Sequence, residues 1–438
     1  MNAADTGMGL GLRALNRIAG LGLLDRVGMR ERAERLLYSA SKNGFRAATA
    51  VGRTFAPRKL LDEPARQAKS GRAELFDLTP TDEQRMMRDA IGDFAIERLR
   101  PAALDADAAC AAPKELLEQA NELGVTMLGV PGELDGAFED RSAVTSVLVA
   151  EQLARGDMGL ALAVLAPAAV GTAIGLWGNA EQQATYLPEF AGENPPAAAL
   201  ALAEAGPVFD PLKLRAKARP KDGGFVLDGE KALVPRAADA ELFVVAADLE
   251  GRGPALFIVE AKEPGIAIAP APAMGLRAAA TATVCFAGVK LGDAALLGGG
   301  DPAAYAECVR LARLGWCALA VGTSQAVLDY VIPYVNDRVA FGEPISHRQA
   351  VAFDVANIGI ELDGMRLATY RAASRVDQGL DNAREVALAR RLAARHGMRI
   401  GSDGVQLLGG HGYTKEHPVE RWYRDLRSAG LMEGGLLV

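Results

Sequence analysis

The carboxylate whose setting most suggests chemistry is Glu433, which lies in the run Leu431-Met432-Glu433-Gly434-Gly435. Apolar and glycine neighbours can exclude water from a carboxylate, and a desolvated carboxylate holds a proton more strongly than one in water. Such a group suits general-base catalysis. The alternative is a solvent-facing glutamate in an ordinary turn, and the local sequence leaves both interpretations open.

A second set of residues has the chemistry of a nucleotide site. Arg338 offers a planar fork of donors that suits a pyrophosphate, Phe341 an aromatic surface, and Gln349 an amide that both donates and accepts. Further along, Gln406 precedes Gly409-Gly410, where the missing side chains let backbone N–H groups approach phosphate oxygens. The alternative is a helix-surface arginine and an ordinary glycine loop.

Composition excludes several other functions. The four cysteines lie far apart without a C-x-x-C pair, and the four histidines show no metal-ligand spacing, so we expect neither a disulfide framework nor a metal site. A net charge of −7 argues against nucleic-acid binding. Residues 1–60 nevertheless hold eleven Lys/Arg and four Asp/Glu, a net +7, and no secretory signal is evident at the start.

The elements that must position these residues follow from periodicity. Residues 8–57 have an apolar helical stripe, and a cap, proline and acids at 79–83 predict the start of a helical region. The apolar run Leu160 to Trp177 predicts a buried helix pair rather than a membrane span. Four β-rich runs between turns follow: Phe225–Leu227, Leu242–Val245, Leu256–Val259 and Thr283–Phe286.

The sequence therefore predicts an α+β, mostly α fold, in which a small central β domain lies between an N-terminal helical domain and a C-terminal four-helix domain. The expected ranges are 1–75 for a basic amphipathic extension with linker, 76–196 for the first helical domain, 197–298 for the β domain and 299–438 for the last domain.

This order, together with the motifs, resembles the acyl-CoA dehydrogenase family of flavoenzymes over roughly residues 76–438. The chain has Arg338-Val-Ala-Phe341-Gly-Glu-Pro344, Gln406-Leu-Leu-Gly409-Gly410-His-Gly-Tyr413, Pro418-Val-Glu-Arg421 and Glu433-Gly434. These stretches are similar to the family's R-x-x-F-G-x-P, Q-[IL]-[FL]-G-G-x-G-[YF], P-[VA]-E-R and E-G signatures, in the same order and at similar intervals.

The resemblance implies a function and a cofactor. It implies that Glu433 removes the α-proton of an acyl-CoA thioester while FAD takes the β-hydrogen as hydride. It implies substrate contacts at Arg313 and Gly434, and excludes a second base beside Arg313, because that position is Ala312. It also implies that the adenosine-diphosphate half of FAD is held at a subunit interface by the following residues: Arg338, Phe341, Gln349, Gln406, Gly409 and Gly410.

The expected flavin-ring motifs are degenerate. The family's L-T-E-P is here Leu202-Ala203-Glu204-Ala205, and its W-I-[TS] is Leu233-Val234-Pro235, so the Thr and Trp side chains that would contact the ring are missing. Backbone groups at Leu202, Ala203, Leu233 and Val234 are the expected ring contacts instead. The lost hydrogen bonds would weaken FAD binding by about 1 kcal/mol each.

Three functional hypotheses follow. The first is an active FAD-dependent acyl-CoA dehydrogenase of fatty acid oxidation type, and the second is a weak or inactive subunit that pairs with an active partner. The third is a flavin oxidase of the same fold. The first implies an acyl-CoA substrate, an electron-transfer flavoprotein as acceptor and a homodimer or homotetramer. We expect a cytoplasmic protein whose residues 1–60 either lie on an anionic membrane surface or pack against protein.

Overall fold

The computed structural model of the chain describes residues 79–136, 141–206 and 209–438. The basic extension and its linker, predicted for residues 1–75, lie outside the described residues. These described residues belong to one compact unit.

The first part of this unit is helical. Its first helix begins where Thr81 accepts a hydrogen bond from the Gln84 N–H at 3.2 Å while the Gln84 side chain accepts from the Thr81 N–H, a capping box. The predicted helix start at 79–83 therefore lies at Thr81. The helices are α1 (Asp82–Phe94), continued through a π turn (Ala95–Leu99) into α2 (Arg100–Ala109), then α3 (Lys114–Glu122), α4 (Ala143–Gly156), α5 (Met158–Trp177) and α6 (Ala180–Ala191).

The apolar run before Trp177 is a single helix, α5, and the predicted helix pair is wrong. Pro167 lies inside it without breaking it, because the residues from Met158 to Ile174 are all buried and tertiary packing holds the helix together. Among the described residues, α5 and Pro302–Asp337 are long and apolar enough to span a membrane. However, 89% and 83% of their apolar windows are buried inside the protein, as in the core helices of a folded domain.

The central part is an eight-stranded sheet that contains all four predicted β-rich runs. The strands are β1 (Ala198–Ala201), β2 (Lys217–Lys221), β3 (Gly224–Val234), β4 (Leu242–Leu249), β5 (Gly253–Glu260), β6 (Ile266–Pro270), β7 (Ala282–Gly292) and β8 (Leu296–Leu297). Their order in the sheet is β6-β7-β3-β2-β4-β5-β8, with β1 added in parallel to β4.

The last part returns to helices. Asp301 caps the longest helix by accepting from the Ala303 N–H at 2.9 Å, and Pro302 takes the first helical position, where no N–H is needed. The helices are α7 (Pro302–Asp337), α8 (Gln349–Asp377), α9 (Ala383–Leu408) and the short α10 (Val419–Leu426), with a two-stranded turn, β9 (Val339–Ala340) and β10 (Glu343–Pro344), between α7 and α8.

Strand β1 joins the two parts of the core, because side chains alternate across a strand. Its residues Ala199 and Ala201 pack inside the β domain with Phe243 of β4. Residues Ala198 and Leu200 face the helical core. The end of β1 therefore lies where sheet and helices meet, which is also where the residues around Glu433 pack.

Candidate active site

Glu433 is buried and ionically paired. Only 7% of its surface is exposed. The Arg313 guanidinium on α7 contacts the Glu433 carboxylate through two nitrogens. Nε lies 3.1 and 3.0 Å from the two carboxylate oxygens, and Nη2 lies 2.8 Å from Oε1. The sequence-predicted substrate residue Arg313 and the predicted base thus lie in direct contact.

A second arginine holds the same carboxylate. Arg390 Nη2, from α9, lies 3.0 Å from Glu433 Oε1 and donates to the Met432 carbonyl, also at 3.0 Å. Burial lowers the pKa of Arg390, while the charge of Glu433 acts in the opposite direction. Two guanidinium groups therefore share one buried carboxylate.

This arrangement differs from the one that the neighbouring sequence suggests. The burial of Glu433 agrees with its apolar and glycine neighbours, but two arginines share its environment. Arg390 is 43 residues away in the chain, and no local pattern around either residue signals the contact. Only the packing of α9 against the loop after α10 brings them together.

The residues that follow Glu433 run into the interior. The indole N–H of Trp316 donates to the Gly434 carbonyl at 2.8 Å, and the Gly435 N–H donates to the Leu200 carbonyl at 3.3 Å. Gly434 has a φ of 79°, and a Cβ on it would lie 2.8 Å from Leu202, so a larger residue fits neither the backbone nor the space. The predicted substrate residue Gly434 therefore lies against the β domain.

Five of the six predicted adenosine-diphosphate residues line one cavity of about 910 Å³. Arg338, Phe341, Gln406, Gly409 and Gly410 all line it, whereas Gln349 begins the adjacent helix α8 and lies outside the lining. Within the described ranges, the Arg338 guanidinium has no ion-pair or hydrogen-bond partner, as suits an anion site. The Phe341 side chain is 95% exposed.

Sequence reasoning missed eight residues that line this cavity, three of which have polar side chains. Arg348 lies over the Phe341 ring at 5.7 Å and pairs with Glu343 at 3.1 Å. Tyr334 and His411 also line the cavity, and their side chains are hydrogen-bonded at 3.0 Å. The histidine inside the glycine motif was the available signal.

The four predicted ring contacts lie elsewhere, at the junction of sheet and helices. Leu202, Ala203 and Val234 are buried, and Leu233 is half-buried. The Leu202 carbonyl accepts from Lys231 Nζ at 3.2 Å, and the Ala203 carbonyl accepts from the Ala232 N–H at 2.9 Å. These two carbonyls already have partners within the chain.

A buried ion pair lies beneath this edge. Lys231 Nζ lies 2.8 Å from Glu204 Oε1, and neither side chain is more than 1% exposed. Burial lowers the pKa of Lys231 to about 8, although Glu204 acts to raise it. The pair fixes the Leu202 carbonyl and with it the end of the strand.

Comparison with known proteins identifies the family to which this unit belongs. Profiles of the acyl-CoA dehydrogenase N-terminal, middle and C-terminal domains match residues 81–194, 199–289 and 303–435. The chain belongs to the acyl-CoA dehydrogenase family.

Individual relatives agree with this family. The chain is 32% identical to the mitochondrial short/branched chain specific acyl-CoA dehydrogenase of Rattus norvegicus, over 81% of this chain and 83% of the relative. It is similar to the structure of butyryl-CoA dehydrogenase from Megasphaera elsdenii, with 26% identity and a TM-score of 0.75 over 81% of this chain and 95% of that chain. It is also similar to a chain in a structure described under the electron transferring flavoprotein of Acidaminococcus fermentans, with 26% identity and a TM-score of 0.74 over 81% of this chain and 95% of that chain.

FAD, the cofactor of this acyl-CoA dehydrogenase, fits one half of its expected site. The large cavity supplies the Arg338 guanidinium, an aromatic face at Phe341 and the Gly409 backbone, whose φ of 59° and ψ of −132° only glycine adopts readily. The ring half does not fit in this conformation. Gly434 and Gly435 pack against Leu202 and Pro235, and protein covers the positions expected to face the ring.

Proposed function

We propose that Glu433 is the base with which this chain carries out the activity of its family, the FAD-dependent α,β-dehydrogenation of an acyl-CoA thioester. The observation that carries the proposal is a buried carboxylate paired with Arg313 and Arg390 where the sheet meets the helices. Both arginines contact its carboxylate oxygens, the atoms that would accept the α-proton.

The reaction removes two hydrogens and forms a carbon–carbon double bond. Glu433 takes the α-proton, and bound FAD supplies the acceptor for the β-hydride. Of the two arginines, Arg313 is the more accessible, with 33% of its side chain exposed against 14% for Arg390. Substrate therefore approaches from the Arg313 side. That contact loosens to free a carboxylate oxygen, while Arg390 keeps the loop in place through Met432.

We expect a short or branched acyl chain. The support for this expectation is the similarity to a short/branched chain specific dehydrogenase.

The proposal is tested with the FAD-loaded protein under anaerobic conditions. Saturated acyl-CoAs of increasing length and branching are mixed with it, and the flavin absorbance is followed in a stopped-flow instrument. Bleaching that is fastest with short or branched chains supports the proposal. A protein that holds FAD but is not bleached by any acyl-CoA contradicts it and favours an inactive subunit.

We further propose that two copies of the chain associate through α8. Phe353, Ile360 and Leu367 recur every seven residues on this helix and are 58%, 69% and 49% exposed, an apolar stripe that a second copy would cover. The cofactor cavity begins beside the first turn of the same helix, with Arg348 and Val351 in its lining. A pairing through α8 would place this cavity near the partner.

Two further partners are proposed for the working enzyme. An electron-transfer flavoprotein is the proposed acceptor of the electrons. An anionic membrane surface is the proposed partner of residues 1–60, whose net charge of +7 contrasts with −14 for the rest of the chain.

A further inference from the structure

We propose that residues Gly434–Val438, called here the plug segment, fill the place of the acyl chain and the flavin ring in the resting protein. The plug segment leaves when FAD and acyl-CoA bind. The inference rests on the proposed function, since it concerns the space next to the proposed base.

The plug segment is buried at a junction of three parts of the chain. Leu436, Leu437 and Val438 are 1%, 5% and 1% exposed. A Cβ on Gly315 of α7 would lie 2.6 Å from Leu436 and 3.3 Å from Val438. Gly315 therefore provides the close approach that this packing needs.

Its other contacts reach the first helical region and the sheet. A Cβ on Gly435 would lie 3.4 Å from Leu162 of α5 and 3.7 Å from Pro235, which follows β3. Arg141 Nη2 donates to the Val438 main-chain oxygen. The plug segment thus separates α5, α7 and the edge of the sheet.

This position conflicts with catalysis in the same conformation. A base must come within hydrogen-bond reach of the proton that it removes, so the reacting carbon of the substrate has to lie beside Glu433. The space on one side of Glu433 is filled by the plug segment, and Arg313 and Arg390 cover both carboxylate oxygens. The proposed ring positions Leu202 and Val234 are also covered.

The plug segment is held as a ligand would be held. It belongs to no helix or strand. Its main chain accepts hydrogen bonds from Trp316 and Arg141 and donates one to Leu200, and its three branched apolar side chains are buried. A branched acyl chain followed by an amide offers the same chemistry. Two charged donors could bind such a ligand, because Arg141 Nε and Arg390 Nη1 are buried without hydrogen-bond partners among the described residues.

The start of the plug segment allows it to move. Gly434 and Gly435 have φ values of 79° and 83°, and consecutive glycines can change conformation at low cost. Movement at these glycines would pull on Glu433, so release of the plug segment and loosening of the arginine contacts are expected to occur together. The resting protein is then closed to substrate until FAD binding selects the open form.

Thiol labelling tests this proposal directly. Leu437→Cys is made in a background carrying Cys110→Ser and Cys285→Ser, since Cys308 and Cys317 are buried. FAD binding is followed independently by its absorbance change. We expect slow maleimide labelling without FAD, and labelling at least about tenfold faster once FAD binds, because binding shifts the population to the open form. Ala372→Cys, a buried position on α8, is the control and stays slow.

A second variant keeps the proposal falsifiable. Leu436→Ala weakens the closed form, so its FAD affinity should rise about tenfold, whereas Leu362→Ala, an equally buried core position, leaves it unchanged. FAD binding with no change in the labelling rate overturns the plug proposal and leaves the proposed function standing. FAD binding by Leu436→Ala but not by the wild type supports the plug. Failure of both to bind FAD overturns both proposals.

Discussion

At the scale of single residues, Glu433 is unusual because two guanidinium groups contact one buried carboxylate. An uncompensated buried charge is costly, and Arg313 and Arg390 provide the compensation here. In the proposed reaction, Arg313 has to release one carboxylate oxygen before Glu433 can reach the substrate, whereas Arg390 also holds the loop through the Met432 carbonyl.

Arg338 allows a test of the cofactor cavity. We predict that Arg338→Ala weakens FAD binding by about 1.5–3 kcal/mol, because a charge-assisted hydrogen bond to phosphate is lost. Titration calorimetry with FAD measures the change. Arg371→Ala, on α8 and outside the cavity lining, is the matched control, and equal affinities in the two variants would remove Arg338 from the site.

The site residues differ in how far the sequence could identify them. Arg338, Phe341 and Gly409-Gly410 belong to compact motifs, and all line one cavity. Arg390 and the burial of Leu436 to Val438 could not be read from the sequence, because both depend on contacts between α9, α7 and a loop far apart in the chain. Local periodicity carries no information on such contacts.

At the scale of elements, α10 connects all three parts of the unit through buried charges. Arg421 Nε lies 2.8 Å from Oδ2 of Asp157, the residue that caps α5. On the same helix, Asp425 accepts from the Leu276 N–H of the β domain at 2.6 Å. Burial, with the nearby charge of Asp157, raises the pKa of Asp425 to about 7, although Leu276, Arg424 and Arg421 oppose the rise.

This carboxyl group gives the fold a pH dependence. A pKa of about 7 in the folded state, against 3.8 for the ordinary group, means that folding favours the protonated acid. Its contribution to stability is therefore full below about pH 4 and is lost as the pH rises to about 7, by up to about 4 kcal/mol. Asp425→Asn keeps an acceptor for Leu276 and removes the titration.

Urea unfolding between pH 4 and 8 checks this prediction. We expect the stability of Asp425→Asn relative to the wild type to increase with pH up to about 7 and then to level off. Titrating groups far from Asp425 cancel in this difference, whereas the charge of Asp157 interacts with Asp425 and contributes to the pH dependence that is measured. A difference that does not change with pH would mean that Asp425 remains ionised in the folded protein.

The apolar stripe of α8 is tested by charge. Ile360→Asp should lower the mass measured by light scattering from that of a dimer or larger assembly to that of a monomer, because an ion would be buried without a partner. Leu104→Asp, at an exposed apolar position on α2, is the control and keeps the wild-type mass. An unchanged mass in Ile360→Asp would place the interface elsewhere.

The elements themselves were largely predictable, since all four β-rich runs lie in strands and the helical regions lie on either side of them. The exception is α5, whose Pro167 suggested two helices. Burial on every side stabilises one continuous helix in spite of the proline, an effect of tertiary packing that local propensity does not contain.

At the scale of the whole molecule, the basic first 60 residues and the acidic remainder suggest opposite partners. We predict that the full chain co-sediments with anionic vesicles at low salt and that deletion of residues 1–60 abolishes this, since each basic residue contributes about 1 kcal/mol near such a surface. FAD binding should be unchanged by the deletion. Full-length protein that stays in solution at low salt would exclude the membrane.

The central claim is that Glu433 removes the α-proton of an acyl-CoA, and anaerobic stopped-flow reduction of the bound flavin tests it most directly. Glu433→Gln keeps the shape of the side chain but cannot accept the proton, so we predict flavin reduction about 10²–10⁴-fold slower than in the wild type. FAD and acyl-CoA should still bind, and Glu250→Gln, in an exposed turn, should react at the wild-type rate. Reduction of Glu433→Gln at the wild-type rate would contradict the account and place the base on another residue.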